Sequence, residues 1–513
     1  MTGSPAPGPG APGPASGFSL VQRDRGWSAA EVGAASDLVA AALSEAGAGP
    51  GVVVAHQFGL DRGGAVALGA IARAGAILAP AHPGWTDFER DDFLAALRPA
   101  AALTGPGTAW PGPGWTDEAL SVPGIGEMML HHRRPAEPLA ATGGEAGEEA
   151  HVGVETGPAG GAILATSGTG GVPRFVVHEW RSLRANAEAA NERVGFGPDD
   201  RWLATLAWAH VGGLAVPLRA AAAGAAVGLA SPRFDAATVA RALGELAITH
   251  LSLVPAMLHG LLEAGARPPG SLRAVLLGGA AAPPDLLDRA LGAGWPIALT
   301  YGLTEAGSQV ATATPRELRA ADRSCGRPLR GVEVRIRPAD GMDETTETGQ
   351  PPAPAGHIEV RGATLFRGYV GDPARPRGDW FTTGDLGHLD AEGHLHVTGR
   401  LRDRIVSGGT NIDPLQIEAV LAAHPDVREA AVIGLPDETW GQIVTGVVAG
   451  SDPELAVRLD AWCRQRLSSA RVPRRWEVVE RIPRTATGKV DRPRLRALLA
   501  ERSGEISRHR STG

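Results

Sequence analysis

A run of hydroxyl side chains and glycines follows an apolar segment at residues 161–165. The run reads Thr-Ser-Gly-Thr-Gly-Gly-Val-Pro-Arg-Phe over residues 166–175. Glycines let the backbone approach an anion closely, so that hydroxyl and amide groups can converge on a phosphate. The run lacks the Gly-Lys-Ser/Thr of a P-loop and does not open a helix with Gly-x-Gly-x-x-Gly. Taken alone, it fits either a phosphate site of another type or a flexible surface loop.

Three further clusters place polar side chains near strand ends. Residues 300–305 read Thr-Tyr-Gly-Leu-Thr-Glu and directly follow the apolar run 297–299. An aromatic ring can stack on a base, a hydroxyl can donate to phosphate, and a carboxylate can hold Mg²⁺. Asp385 follows a glycine and could accept both hydroxyls of a ribose, and Lys489 lies in a Gly/Thr-rich stretch. Each cluster alone would also fit an ordinary polar turn or a solvated lysine.

The elements that must position these clusters alternate between helices and strands. This alternation is typical of an α/β protein with a largely parallel sheet. A compact α+β pattern begins near residue 400. The pattern predicts helices at 26–48, 63–73, 236–246 and 255–264, and strands at 52–55, 76–79, 101–103, 249–253, 274–277, 357–360 and 394–397.

Length and composition limit the classes of protein that this chain can be. Because 513 residues exceed one ordinary core, we expect a large domain at 17–400 and a small one at 401–500. The Pro/Gly-rich residues 1–16 are expected to be a disordered tail, and the polar residues 501–513 a flexible one. The net charge of −7 carries no basic excess, so no nucleic-acid partner is expected.

The chain also lacks signals for secretion, membrane insertion and metal binding by cysteine. Its first residues have no apolar core of a signal peptide, and no apolar run is long enough for a membrane span. Cys325 and Cys463 are far apart and show no Cys-x-x-Cys spacing, so neither a disulfide framework nor a zinc site is expected. The sequence therefore predicts a cytoplasmic protein.

In their order and separation, the clusters together resemble the ANL superfamily of adenylate-forming enzymes. The resemblance covers residues 20–500 and rests on 166–171, 300–305, 383–385, Gly399-Arg400 and Gly488-Lys489. It implies a large N-terminal domain of mostly parallel sheets flanked by helices, with a β-rich subdomain, and a small, mobile α+β C-terminal domain. It also implies ATP and Mg²⁺ as cofactors, CoA as co-substrate and a small carboxylic acid as substrate.

The resemblance assigns roles to individual residues. Lys489 would bridge the acid carboxylate and the α-phosphate, because two anions that approach each other need an offsetting charge. Thr304 would contact the α-phosphate, and Glu305 would ligate Mg²⁺. The implied ATP-binding residues are Thr166, Ser167, Gly168, Thr169, Gly170, Gly171 and Arg174 at the β- and γ-phosphates, Gly278, Gly279 and Ala280 at the adenine edge, Tyr301 and Gly302 at the adenine face, and Asp385 with Arg400 at the ribose.

The small domain and the loop carry departures from the family pattern. Arg402 occupies the hinge position, where Asp or Lys is usual, and the small domain would rotate there between two reaction poses. Gly408 and Gly409 would leave space for the CoA channel. The usual Pro-Lys-Gly end of the loop is Pro-Arg-Phe. Arg174 keeps the positive charge, whereas Phe175 cannot cheaply adopt glycine-like backbone angles, so a different loop exit is expected.

Fewer residues indicate which carboxylic acid is the substrate. His210 lies in a stretch similar to the family's His-x-x-Gly-Leu element and would sit between the acyl pocket and the thiol entry, or be a packed histidine. This region lacks the Asp with which amino-acid-activating members hold the substrate amine, so an amino acid is disfavoured. Residues 249–258 and 305–309 resemble o-succinylbenzoate–CoA ligases. Gly307, Ser308 and Gln309 would then line a pocket for an aromatic or keto acid.

Three functions are compatible with these residues. The first is an acid–thiol ligase that forms acyl-AMP and pyrophosphate and then an acyl-CoA thioester. The second keeps the adenylation but uses a carrier-protein thiol, an amine, or an unusual acid such as nitrite. The third is a degenerate nucleotide-binding protein, which the retained polar residues disfavour. A homodimer is compatible with each.

Overall fold

Four β-sheets and the helices around them make up the described part of the chain. The fold class matches the prediction of a large α/β domain with mostly parallel sheets, a β-rich subdomain and a small α+β domain. The boundary near residue 400 and the mobility of the small domain stay predictions. The computed structural model describes residues 17–23, 25–83, 85, 87–108, 110, 115–133, 160–166, 174–318, 323–338, 356–400, 403, 405–407, 410–412, 414–437, 441–452, 454–467, 471–485 and 489–500.

The largest sheet has nine strands, six of them parallel. Its strands are β1 (Ser19–Gln22), β2 (Arg25–Trp27), β10 (Arg201–Ala204), β11 (Ala226–Leu229), β12 (His250–Leu253), β13 (Ala274–Leu277), β14 (Ile297–Leu303), β15 (Ser308–Thr312) and β16 (Arg327–Pro328). They lie in the order β16-β15-β14-β13-β12-β10-β11-β1-β2, with β2, β15 and β16 antiparallel to their neighbours. Both faces are buried: Leu276 packs in one hydrophobic core, and Val275 and Leu277 pack in another. Burial on both faces explains the continuous apolar runs of these strands.

The second sheet has eight strands in the order β19-β9-β8-β4-β3-β5-β7-β6. The strands β8, β4, β3 and β5 run parallel, and the others are antiparallel to their neighbours. Its strands are β3 (Val53–Gln57), β4 (Ile77–Pro80), β5 (Ala101–Thr104), β6 (Trp115–Val122), β7 (Gly126–Arg133), β8 (Gly161–Thr166), β9 (Arg174–Glu179) and β19 (Gly368–Tyr369).

Two smaller sheets complete the fold. The four-stranded one is antiparallel and shares a core with β14 and β15, which places its residues beside the largest sheet. Its strands are β17 (Val332–Pro338), β18 (Gly356–Gly362), β20 (Phe381–Leu389) and β21 (Leu395–Arg400). The C-terminal sheet consists of β22 (Ile405–Ser407), β23 (Thr410–Ile412), β24 (Ala430–Asp437), β25 (Gly441–Ala449) and β26 (Arg475–Val479).

The helices pack on these sheets and complete the hydrophobic cores. None of those in the described ranges has both the length and the apolar character needed to cross a membrane. The helices are α1 (Ala29–Glu45), α2 (Arg62–Arg73), α3 (Asp87–Leu97), α4 (Trp180–Val194), α5 (Val211–Ala223), α6 (Ala236–Glu245), α7 (Pro255–Glu263), α8 (Pro284–Gly292), α9 (Pro315–Leu318), α10 (Pro414–Ala422), α11 (Leu455–Arg464) and a last helix at 492–500.

Helix α1 begins later than the sequence pattern predicted. Gly26, the predicted start, lies in β2 and pairs with Val21. The helix is started by a capping box: the Glu31 amide donates to Ser28 Oγ at 3.2 Å, and the Ser28 amide donates to Glu31 Oε2 at 2.8 Å. This reciprocal pair satisfies two amides that the first turn leaves unpaired. The other predicted elements lie within three residues of their observed bounds.

Four histidines with lowered pKa values predict loss of stability in acid. Burial lowers the pKa of His56, His178, His210 and His250 from 6.5 to about 4. Between these two pH values the unfolded chain binds protons that the folded chain does not, so stability falls as the pH decreases. Each histidine contributes up to about 1.4 kcal/mol per pH unit. Urea unfolding from pH 7 to 4.5 should show this decline, with a shallower slope in His56→Asn, whereas a constant midpoint would contradict it.

Candidate active site

Loops from the two large sheets meet at a shared edge. His82 follows β4 of the second sheet, and His210 lies in the loop between β10 and α5 of the largest sheet. The centroids of the two imidazole rings are 5.1 Å apart. Because ligands of open parallel sheets bind at the carboxyl ends of the strands, this contact marks the edge where a substrate would lie.

His210 is neutral at this edge and lies near a cation from the C-terminal part of the chain. Its Nε2 atom is buried and has no hydrogen-bond partner among the described residues. Burial, with the nearby His82 and the charge of Lys489, lowers the pKa of His210 to about 4. The backbone of Lys489 is held by the Thr485 amide, which donates to the Lys489 carbonyl at 2.8 Å. The charge of Lys489 thus acts on His210, and the catalytic roles of both residues stay predictions.

Tyr301 and Asp385, predicted at the adenine and the ribose, are in direct contact. The phenol of Tyr301 donates to Asp385 Oδ2 at 2.7 Å, and both side chains are buried. The Asp385 amide donates to Thr383 Oγ1 at 3.1 Å, which fixes the turn before the carboxylate. Asp385 also lies opposite Arg400 in the ladder of β20 and β21. A carboxylate and a ring at one point suit recognition of a nucleoside.

Thr304 and Glu305 form a short 3₁₀ turn directly after β14. Three donors hold the carbonyls of this turn. His178 Nε2 donates to the Thr304 carbonyl at 2.7 Å, the Phe366 amide to that of Glu305 at 2.8 Å, and Asn186 Nδ2 to that of Ala306 at 3.1 Å. Since a carbonyl only accepts, His178 must carry its proton on Nε2.

The donor set at this turn fits Mg²⁺ that arrives with ATP. Magnesium in nucleotide enzymes takes one or two carboxylates plus phosphate oxygens and water. The carboxylate of Glu305 and the hydroxyl of Thr304 supply oxygen ligands of this kind. Within the described ranges no group of three His, Cys, Asp or Glu side chains could hold a metal ion by itself. A metal at Glu305 would therefore depend on the nucleotide.

Arg174 lies beside a tyrosine that the sequence analysis did not single out. Its guanidinium carbon is 3.4 Å from the centroid of the Tyr369 ring, and its Nη2 is 3.0 Å from Asp372 Oδ2. Tyr369 in turn donates its hydroxyl to Glu305 Oε1 at 2.8 Å. Arg174 was predicted to contact phosphate, and this role stays a prediction.

Phe175 does not need the glycine-like backbone that the sequence comparison suggested. It lies in β9 opposite Ala165 and is not among the described residues with positive φ. Its ring is buried and packs edge-on against Phe93, with centroids 6.1 Å apart. The loop therefore exits into an ordinary strand, and Phe175 serves the hydrophobic core.

Replacing Phe175 with glycine should reduce stability more than it changes the loop. The substitution removes a buried ring and adds backbone freedom to a strand, so we expect a loss of about 3–5 kcal/mol. Urea unfolding measures this loss, and Phe175→Leu serves as a control that keeps most of the apolar contact. A stable Phe175→Gly variant with altered adenylation would instead assign the residue to the loop.

The small residues predicted to contact the adenine lie near the carboxyl ends of two neighbouring strands, β13 and β14. Gly278 follows β13, and a Cβ there would come within 2.6 Å of Thr300 Cγ2. Gly279 has φ +79° and, with Ala280, is exposed. A Cβ on Gly302 would collide with the Ser308 carbonyl. Only glycine allows this close approach of backbone and neighbouring strand, while the adenine contact stays a prediction.

Part of the predicted site lies outside the described residues. Thr166 is described, and its hydroxyl donates to the Arg174 carbonyl at 3.2 Å. The roles of the remaining residues stay predictions. Outside the described range are Ser167, Gly168, Thr169, Gly170, Gly171, Arg402, Gly408, Gly409 and the side chain of Arg400.

Arg219, a buried cation on α5, was not predicted from the sequence. Its Nη2 donates to Gln309 Oε1 at 2.9 Å and to Ser308 Oγ at 3.2 Å, and burial lowers the pKa of Arg219 to about 9. Its Nε has no hydrogen-bond partner, its guanidinium carbon lies 4.8 Å from the centroid of the Trp202 ring, and no carboxylate pairs with it within the described ranges. One arginine in an otherwise apolar helix could have revealed this site, because buried charges are normally paired.

Lys489 is distinguished by the composition of the whole sequence, although the residues around it form no distinctive motif. The sequence has 49 lysine and arginine residues, and Lys489 is the only lysine. Arginine spreads its charge over a planar fork, whereas lysine offers a compact ammonium. All the other residues of this lysine and arginine set are arginines, so the single lysine favours the role predicted for an ammonium at position 489, which stays a prediction.

Comparison with known proteins identifies the family. Residues 14–370 match the AMP-binding enzyme family, and residues 416–489 match the AMP-binding enzyme C-terminal domain. The chain belongs to the AMP-binding enzyme family. This AMP-binding enzyme is 36% identical, over 65% of its length and 69% of the relative's, to a 2-succinylbenzoate–CoA ligase of Bacillus licheniformis. It is thus an acid–thiol ligase of the AMP-forming acyl-CoA synthetase family.

Solved structures of an o-succinylbenzoate CoA synthetase from Bacillus subtilis have the same fold as this AMP-binding enzyme. The complex with the acyl-adenylate OSB-AMP has a TM-score of 0.77 at 27% identity, and 94% of this chain and 98% of that chain are covered. The complex with ATP and magnesium has a TM-score of 0.75 at 28% identity, covering 93% and 95%. A double mutant bound with its product analogue OSB-NCoA has a TM-score of 0.61 at 27% identity, with 94% and 98% covered.

Proposed function

We propose that this enzyme activates a carboxylic acid with ATP to acyl-AMP, releases pyrophosphate, and transfers the acyl group to CoA. The observation that carries the proposal is the contact between the Tyr301 phenol and Asp385 Oδ2, 2.7 Å apart and buried, at β14 of the largest sheet. The only lysine of the sequence, Lys489, would supply the cation. A nucleoside site beside a mobile cation is what adenylation of an anion needs.

In the first step, a carboxylate oxygen of the acid attacks the α-phosphorus and the bond to pyrophosphate breaks. The ammonium of Lys489 offsets the charge of the two approaching anions, and the hydroxyl of Thr304 donates to the α-phosphate. Magnesium, when bound with ATP at Glu305, supplies further positive charge on the phosphates. No charge needs to develop on the neutral His210.

In the second step, the sulfur of CoA attacks the acyl carbon, the bond between the acyl carbon and the AMP oxygen breaks, and the thiol proton leaves with the AMP phosphate or to solvent. The unpartnered Nε2 of His210 would accept a hydrogen bond from the incoming thiol. We propose that the small domain rotates at Arg402 between the two steps, with Gly408 and Gly409 beside the thiol channel. The solved complexes of the relative with OSB-AMP and with the product analogue OSB-NCoA support the two half-reactions.

We propose an aromatic keto acid with a second carboxylate, of the o-succinylbenzoate type, as the substrate. The named activity of the Bacillus relatives supports this class. So does Arg219, a buried guanidinium that lies against Ser308 and Gln309, two residues predicted to line the acyl pocket. A substrate carboxylate would give this cation the anionic partner that the described residues do not supply.

A panel of acids in a pyrophosphate-exchange assay tests the proposal. We expect o-succinylbenzoate and related keto dicarboxylates to support exchange, and added CoA to yield a thioester seen by mass spectrometry. Exchange without a thioester would assign the acceptor to a carrier-protein thiol or an amine. Absence of exchange with every acid, nitrite included, would favour the non-catalytic nucleotide-binding alternative.

A further inference from the structure

A short segment, residues 366–372, fastens two parts of the active site to each other. The Arg367 amide donates to the Val177 carbonyl at 2.7 Å, and the Val370 amide donates to the Phe175 carbonyl at 2.9 Å. These bonds attach the segment to the strand that leaves the phosphate-binding loop. At the same time, the Phe366 amide donates to the Glu305 carbonyl at 2.8 Å. The segment thus ties the loop exit to the turn that carries the metal ligand.

Side chains of the segment also connect the loop exit to the turn that carries Glu305. The Tyr369 hydroxyl donates to Glu305 Oε1, 2.8 Å away. The guanidinium of Arg174 stacks on the Tyr369 ring, with its carbon 3.4 Å from the ring centroid. Asp372 pairs with Arg174 at 3.0 Å and keeps the guanidinium over the ring. The result is a chain of contacts from the loop exit through one aromatic ring to one carboxylate.

The phenol is suited to act as a donor in this chain of contacts. A carboxylate oxygen can only accept, so across the 2.8 Å contact the Tyr369 hydroxyl donates to Glu305 Oε1. A hydrogen bond to a carboxylate is about twice as strong as one between neutral groups. Donation to Oε1 fixes the rotamer of Glu305 and leaves Oε2 for another ligand.

We propose that Tyr369 is a positioning residue that holds the Glu305 carboxylate ready for Mg²⁺ and couples it to the loop exit through Arg174. The inference rests on the proposed function, in which Glu305 ligates the metal of Mg·ATP. It adds that the ligand is preorganised by a residue outside the nucleotide-binding motifs. Loss of the hydroxyl should therefore weaken metal binding without removing any ligand atom.

The test compares Tyr369→Phe with Tyr301→Phe. The chain has two tyrosines, so the same single oxygen is lost in both variants. The readout is Mn²⁺ binding, followed by electron paramagnetic resonance, to the enzyme saturated with α,β-methylene ATP. We expect Tyr369→Phe to bind Mn²⁺ about tenfold more weakly, as for a lost hydrogen bond to a charged group. Tyr301→Phe should weaken nucleotide binding but leave the Mn²⁺ affinity of the saturated complex unchanged.

The coupling is tested with Arg174→Met and Asp372→Asn, which leave the phenol in place. We expect both variants to weaken Mn²⁺ binding in the same direction and by less than Tyr369→Phe. Unchanged Mn²⁺ affinity in Tyr369→Phe would overturn the positioning role, and unchanged affinity in both other variants would overturn the coupling. If the wild-type enzyme bound no Mn²⁺ with the nucleotide, or if Glu305→Gln bound it normally, the metal role within the proposed function would fail instead.

Discussion

Lys489→Arg is expected to slow acid-dependent pyrophosphate exchange by about 100- to 1000-fold, the loss typical for a group that stabilises charge in the transition state. The chain uses arginine for all its other basic side chains, so a guanidinium is clearly compatible with its fold. At position 489, however, the substitution puts a planar guanidinium in place of a compact ammonium between the acid carboxylate and the α-phosphate. Lys489→Ala should be impaired to at least the same extent. Exchange rates at saturating acid and ATP measure both effects.

A control and a second half-reaction make this prediction specific. Arg484→Ala removes a cation from the same turn, where Arg484 pairs with Glu429 at 3.3 Å, and should retain most of the exchange activity. When acyl-AMP and CoA are supplied directly, Lys489→Arg should form thioester at a rate close to that of the wild type. Equal exchange by Lys489→Arg and wild type would remove Lys489 from the adenylation step.

Arg219→Met should lower kcat/KM for o-succinylbenzoate by about 100-fold, the scale expected when a buried charge loses its partner. Methionine fills similar volume without charge, and the neighbours left behind, Ser308 and Gln309, are neutral. The loss should appear mainly in KM, because the second carboxylate does not take part in the chemistry. Steady-state kinetics with varied acid measure it.

The matched substrate for this variant is 3-benzoylpropanoate, which lacks the ring carboxylate. Wild-type enzyme should use it poorly, and Arg219→Met should use it as well as or better than the wild type, because a buried cation without a partner is unfavourable. If Arg219→Met lowered kcat/KM equally for both acids, Arg219 would be a packing residue and the proposed dicarboxylate would be wrong.

The parallel strands were largely predictable because they are buried on both faces. Continuous apolar runs such as Ala274–Leu277 identify parallel strands directly, and their alternation with helices gives the class. The start of α1 was wrong because the apolar pattern continues through Trp27, while the capping box at Ser28 decides where the helix begins. Local side-chain chemistry outweighed periodicity at that point.

The site was predictable where residues lie close in sequence and not where they meet only in space. Thr304 and Glu305 are adjacent, so one motif predicts both. The contact of Tyr301 with Asp385 joins residues 84 positions apart, and that of Tyr369 with Glu305 joins residues 64 apart. Only packing of the four-stranded sheet against β14 and β15 creates the first contact. Tyr369 lies in no predicted motif, and the one local signal of Arg219, a single arginine in an apolar helix, was not recognised.

An oxygen-transfer experiment tests the central claim, that the acid is activated as an acyl-adenylate. The enzyme is incubated with acid labelled with ¹⁸O in its carboxylate groups, ATP, Mg²⁺ and CoA, and the nucleotide products are examined by mass spectrometry. Attack of the carboxylate on the α-phosphorus, followed by loss of AMP to the thiol, predicts one ¹⁸O atom in each AMP. Formation of ADP, or of AMP without ¹⁸O during thioester synthesis, would contradict the account.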